Sequence, residues 1–91
     1  MLVIVVYDSP NDRRRLKLSN FLEGYGRRVQ YSVFECFLSL HEMQILCQRV
    51  EAIVDKTEDN VRFYWLSREA VAKVKTIGSD PPQEPPIAYI I

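Results

Sequence analysis

The sequence predicts an α+β sandwich in which short strands alternate with two helices. Three observations carry this reading: an unbroken apolar run of strand length at the start, two amphipathic stripes at helical spacing each preceded by a capping signal, and β-branched and aromatic segments between and after them. The 91 residues, 47% of them apolar, can close one small hydrophobic core and no more, because the share of surface buried on folding falls as chains shorten. One domain is expected, with a core slight enough that association should add to its stability.

Leu2-Val3-Ile4-Val5-Val6-Tyr7 is β-branched and aromatic throughout, as a strand buried on both faces should be. Asp8 ends it. Ser9-Pro10-Asn11-Asp12 reads as a helix start, with Ser9 at the N-cap, Pro10 at the first helical position, where its missing N–H costs nothing, and Asp12 as the capping-box acid. Leu18, Phe21, Leu22 and Tyr25 then fall on one helical stripe. Gly24 and Gly26 are expected to stop this helix, since glycine takes the left-handed closing conformation without a Cβ clash.

Residues 27–38 return as extended chain with neither face plainly polar, long enough to bend or pair back on itself. Ser39 with Glu42 makes a second capping box, ahead of a stripe of Met43, Leu46, Cys47, Val50, Ile53 and Val54. A loop over 55–60 leads into the strand Asn60–Leu66. The order is βαββαβ, which suggests the ferredoxin-like sandwich. Residues 67–72 read as either a helical turn or a loop, and 73–77 as a further short strand ending at Gly78. Pro81, Pro82, Pro85 and Pro86 cannot join a central ladder. The division expected is therefore a ferredoxin-like domain over 1–78 and a proline-rich linker and C-terminal strand over 79–91. The apolar tail 87–91 needs an edge to pair with, and the partner subunit of a homodimer is its natural supplier.

Formal net charge is zero, which argues against a uniformly basic coat for nucleic acid. The charges are nevertheless segregated. Residues 10–31 carry six basic side chains against two acidic ones, a net +4, and residues 32–60 carry the reverse, a net −4. Such polarity suits phosphate on one side and a basic partner on the other. Cys36 and Cys47 sit in apolar periodic stretches without zinc spacing and read as buried small hydrophobes, not a disulfide. The opening apolar run is too short for a signal peptide or membrane span, so a cytoplasmic protein without a membrane partner is expected.

Asp8 is the strongest chemical candidate. It stands at the carboxyl end of a buried strand just before a helix N-terminus, whose N–H groups favour anions. Arg13, Arg14 and Arg15 follow, with Lys17 and later Arg27 and Arg28. An acidic metal ligand beside arginines is what phosphodiester chemistry needs: a cation polarises phosphoryl oxygen and activates water, and guanidinium neutralises developing charge. Such residues more often serve as a turn and cap beside a solvated arginine face. Mg²⁺ or Mn²⁺ would take one or two carboxylates and keep its water, and a dimer stacked sheet on sheet would bring in a second Asp8. Tyr7, Phe34 and Tyr31 could stack on bases, although core aromatics are the commoner use. His41, the one histidine, is given no role.

The stretch Val5-Val6-Tyr7-Asp8, the run Asp12-Arg13-Arg14-Arg15-Leu16-Lys17, and above all Gly26-Arg27-Arg28-Val29-Gln30-Tyr31-Ser32-Val33-Phe34-Glu35 resemble the signature of the CRISPR-associated protein 2 family. The resemblance implies a ferredoxin-like homodimer whose C-terminal strand lies on its partner. It implies a metal-dependent endonuclease acting on single-stranded RNA or duplex DNA, with Asp8 as catalytic metal ligand and Tyr7 and Phe34 in support. Arg14, Arg15, Arg27 and Arg28 match basic positions. It also implies spacer acquisition, in which the dimer bridges CRISPR-associated protein 1 integrase subunits and cradles the incoming duplex. A toxin-like endoribonuclease on the same fold is the alternative. Ser9-Pro10 departs from the aliphatic residue that many relatives carry after the aspartate.

Overall fold

The structure, a computed structural model, describes residues 1–85. The elements are β1 (Leu2–Asp8), α1 (Asp12–Glu23), β2 (Arg27–Gln30), β3 (Val33–Phe37), α2 (Leu40–Ile53), β4 (Asn60–Leu66) and α3 (Arg68–Ala72). The four strands form one antiparallel sheet in the order β2-β3-β1-β4, with β1 between β3 and β4. The βαββαβ order and this strand arrangement are those of the ferredoxin-like sandwich.

Strand parity assigns the two faces. Val3, Val5 and Tyr7 lie opposite Trp65, Phe63 and Val61 of β4, and Val3 and Val5 also oppose Cys36 and Phe34 of β3. This face packs against Leu18 and Leu22 of α1 and Leu46 and Val50 of α2 to make the core. Fully burying a side chain such as Leu22 or Phe34 is worth about 2 kcal/mol. Ile4, Val6 and Asp8 point the other way, beside Val33, Tyr64, Arg62 and Asn60. No described helix covers the middle of that face: Ile4, Val6 and Val33 are only half-buried and Tyr64 is exposed. Its Leu2 end adjoins Arg68 and Val71 of α3 and Glu84.

The second helix follows its sequence signals. Ser39 accepts from the Glu42 N–H while the Glu42 carboxylate accepts from the Ser39 N–H, a complete capping box. The first does not. Its N-cap is Asn11, whose side chain accepts from the Arg14 N–H at 2.9 Å, and Pro10 lies outside the helix. Ser9 is buried instead: its hydroxyl donates to Asp59 at 2.6 Å and accepts from the Asn11 N–H at 3.2 Å, which closes the turn ahead of the helix and leaves the cap to Asn11. Asp12 pairs with Arg15 rather than closing a capping box.

The glycines also act differently from expectation. Gly24 ends α1 in an ordinary right-handed conformation (φ −78°, ψ −8°), and Gly26 is not left-handed either. Gly26 is needed for space: a Cβ there would overlap the Glu35 carbonyl oxygen and stand 2.5 Å from Cys36 Sγ. The chain thus enters β2 pressed against β3, a close approach that only glycine permits.

The long return folds back as the β2–β3 hairpin around Tyr31 and Ser32, with a register irregularity between Arg28 and Gln30. Ser67 caps α3, which decides residues 67–72 for a helix. Residues 73–77 form no strand: after the helical turn their alternating side chains find no ladder to join. Both cysteines are free, and burial pushes the Cys36 thiol up to about 12. The tail strand expected at 87–91 lies outside the described residues.

Candidate functional site

Asp8 is exposed at the last position of β1, in register with Asn60 of β4. Its cleft, of about 240 Å³, opens on the uncovered side of the sheet and is lined by Val6, Tyr7, Asn60, Arg62 and Tyr64 as well. Arg62 donates to the Tyr64 hydroxyl at 3.4 Å, and that phenol raises the arginine's pKa further. The cation beside Asp8 is therefore Arg62, which the arginine run did not suggest. A parity count finds it: residues 60, 62 and 64 of β4 share the face of residues 6 and 8 of β1.

Among the described residues no group of three or more His, Cys, Asp or Glu side chains could hold a metal ion. One carboxylate with an amide across the ladder fits a hard cation that keeps most of its water, as Mg²⁺ does, and does not fit a fully protein-bound site.

The loop after Asp8 is fastened by a buried carboxylate. Asp59, its side chain 1% exposed, accepts from the Ser9 hydroxyl, from Arg14 Nε at 2.7 Å and from the Asp55 N–H at 2.8 Å. The Arg14 guanidinium, then the Ser9 and Asp55 donors, hold its pKa down at about 2 against the penalty of burial. Arg14 also reaches Glu58 at 2.7 Å. On the other side Arg15 donates to the Ser9 carbonyl at 3.0 Å. The basic and acidic segments of the sequence therefore meet here instead of facing opposite ways.

The remaining candidates gather elsewhere. Arg28 donates to the Tyr31 carbonyl at 2.9 Å, pairs with Glu23 at 3.3 Å and lies 5.2 Å from the centre of the Phe34 ring. Arg15 and Arg28 line a second cleft of about 240 Å³, between α1 and the β2–β3 hairpin, which also includes Tyr7 and Tyr31. Phe34 is fully buried and Tyr7 only 3% exposed, their rings stacked at 6.3 Å, so neither offers a face to a base. They support from below, Phe34 as a platform under Arg28. The exposed aromatic is Tyr31, at 71%. Arg27 lies opposite Glu35 and reaches Gln83 at 3.5 Å. Arg13 and Lys17 are exposed and form no ion pair among the described residues. No described helix is long and apolar enough to cross a membrane.

An antiparallel four-stranded sheet backed by two helices, with a carboxylate at the exit of its central first strand and arginines around the following helix, defines a ferredoxin-like α+β protein with a polar strand-end site. Within that class the sequence is specific. The family described as CRISPR associated protein Cas2 matches residues 1–74, and the chain belongs to that family. It is similar to the CRISPR-associated endoribonuclease Cas2 3 of Synechocystis, at 46% identity over 99% of this chain and 98% of that one. Among solved structures it is similar to Streptococcus pyogenes Cas2, at 34% identity and a TM-score of 0.73, covering 86% of this chain and all of the other. It is also similar, at 32% identity and a TM-score of 0.73, to a chain of a partial Cas6-RT-Cas1–Cas2 complex, over 99% of this chain and 98% of that one.

Proposed function

We propose that the chain works as the homodimeric Cas2 component of CRISPR adaptation, bridging Cas1 integrase subunits and holding duplex DNA on its arginines during spacer acquisition. The observation that carries this reading is the likeness, over nearly the whole length of both, to a chain that sits in a complex with Cas1. The uncovered sheet face supports the dimer: half-buried Ile4, Val6 and Val33 beside exposed Tyr64 leave apolar surface that a second sheet would bury. Residues 79–91 would carry the tail onto the partner subunit. The phosphate contacts would come from Arg13 and Lys17, whose side chains extend from α1, with Arg27 and Arg28 on the hairpin.

The same proposal includes endonuclease activity centred on Asp8, acting on single-stranded RNA or duplex DNA, as the names of relatives such as the Synechocystis endoribonuclease suggest. Mg²⁺ or Mn²⁺ bound at Asp8 would supply polarisation of a phosphoryl oxygen and a more acidic water. The chain's own residues do the rest. Asp8 would hold the ion at the rim of the sheet, Arg62 would offer charge to the phosphate from within the same cleft, and the Ser9–Asp59–Arg14 network ties the turn after the strand end to α1 and to the start of β4. Two copies of Asp8 across the dimer face would share a cation better than one.

The bridge is tested in cells and by copurification with Cas1. Deleting residues 85–91 is expected to abolish both spacer acquisition and copurification, and Asp8→Asn to leave both intact. Acquisition that survives the deletion but not the point change would overturn the bridging role.

A further inference from the structure

We propose that the cleft between α1 and the β2–β3 hairpin is a second ligand site, separate from the Asp8 cleft, which takes a phosphate-bearing nucleotide with its phosphate between Arg15 and Arg28 and its base against Tyr31. In its choice of ligand the proposal rests on the nucleic-acid reading above.

The cleft is built from both elements. Asp12, Arg15, Leu16 and Ser19 are spaced to share one face of α1, and the hairpin supplies Arg28 and Tyr31 across from them. Its volume of about 240 Å³ has room for a single nucleotide. It lies on the side of β1 to which Tyr7 points, whereas Asp8 points to the other, so the two clefts adjoin only at Tyr7.

The two arginines are held in place yet keep donors to spare. Arg15 donates to the Ser9 carbonyl and to Asp12, and Arg28 donates to the Tyr31 carbonyl and Glu23 while resting on Phe34. A guanidinium has five N–H donors, so each fork retains N–H groups for an anion and loses little freedom on binding it. The competing carboxylate is weak. Asp12 is 90% exposed, and an exposed ion pair of this kind contributes little and yields readily to a phosphate that engages two arginines. Exposed Tyr31 and the 61% exposed Leu16 add flat and apolar surface that nothing in the described chain covers, and which a base would cover.

The test is titration of the full-length protein with UMP, uridine and inorganic phosphate, followed by NMR at the amides of Arg15, Arg28 and Tyr31. UMP is expected to shift all three, inorganic phosphate the two arginines, and uridine to bind far more weakly than UMP. Tyr31→Ala, at an exposed position, should weaken UMP on the order of tenfold while leaving inorganic phosphate unchanged. Asp12→Asn should tighten both, because it removes the competing carboxylate. Uridine binding as well as UMP, or UMP affinity indifferent to both substitutions, would overturn the site. Oligouridine with and without a 5′-phosphate separates the sources: a phosphorylated strand that binds more tightly than UMP makes the ligand a strand end, and equal binding makes it a free nucleotide. Duplex binding by the same samples separates this proposal from the one it rests on. Duplex bound without UMP removes the nucleotide site alone, and UMP bound without duplex or RNA removes the nucleic-acid bridge and leaves the site.

Discussion

The two clefts that meet at Tyr7 are built on opposite plans. The one between α1 and the hairpin is walled by side chains already tied to one another: Arg15 to Asp12 and Ser9, Arg28 to Glu23, Tyr31 and the Phe34 ring. The one at Asp8 has a strand-end carboxylate with a single arginine, Arg62, and opens on a sheet face that the described residues leave uncovered. The first is walled by two elements of the chain, whereas the second offers one carboxylate with an amide across the ladder. Charge near a site is therefore not enough to define its role. What matters is which charges the fold has already used.

The largest effect on that contrast should come from Gly26→Ala. A methyl group there must displace the Glu35 carbonyl and the Cys36 sulfur, both held by the sheet, so stability should fall by about 3 kcal/mol, read as a lower denaturant midpoint. The hairpin wall of the arginine cleft should be lost with it.

Asp59→Asn comes next. It leaves Arg14 without its main partner and should cost on the order of 2 kcal/mol at neutral pH. The sign of its pH dependence follows from a folded pKa of about 2 against an ordinary 3.8: the stabilisation is whole above the ordinary value and fades as pH falls towards 2. Wild type and variant should therefore converge in acid unfolding between those two values. A gap that stayed constant across that range would show that the carboxylate's charge is not what holds the loop.

The smallest effect belongs to the cations that the fold has not used. Arg13→Gln or Lys17→Gln should leave stability unchanged and lower the slope of log affinity against log salt for duplex DNA by about 0.9 for each phosphate that is no longer neutralised. Arg14→Gln should instead act mainly on stability.

Much of the fold is legible in the sequence because its signals are local. The capping box of Ser39 and Glu42, the stripe through Leu46 and Val50, and the strand Asn60–Leu66 each follow from neighbours in sequence. The start of α1 is not legible, because Ser9 is taken by Asp59, fifty residues away, and no local pattern announces that bond. The arginine run divides for the same reason: Arg14 is committed to Glu58 and Asp59 across the chain, while Arg13 beside it is not. Phe34 and Tyr7 take the core place that strand aromatics more often take and Tyr31 does not, a division the sequence leaves open because alternation alone does not say which face the helices cover. Arg62 can be found from strand parity once β1 and β4 are taken as neighbours.

The proposed nuclease activity places a metal-dependent centre at Asp8, while the bridging role does not need one. That activity is tested by incubating the purified full-length protein with single-stranded RNA and with duplex DNA, in Mg²⁺ and in chelator, for wild type and Asp8→Asn. Cutting is expected in Mg²⁺ alone, and is expected to be abolished in Asp8→Asn while the dimer and its duplex binding persist. Cutting that survives chelation, or an unchanged rate in Asp8→Asn, would contradict it.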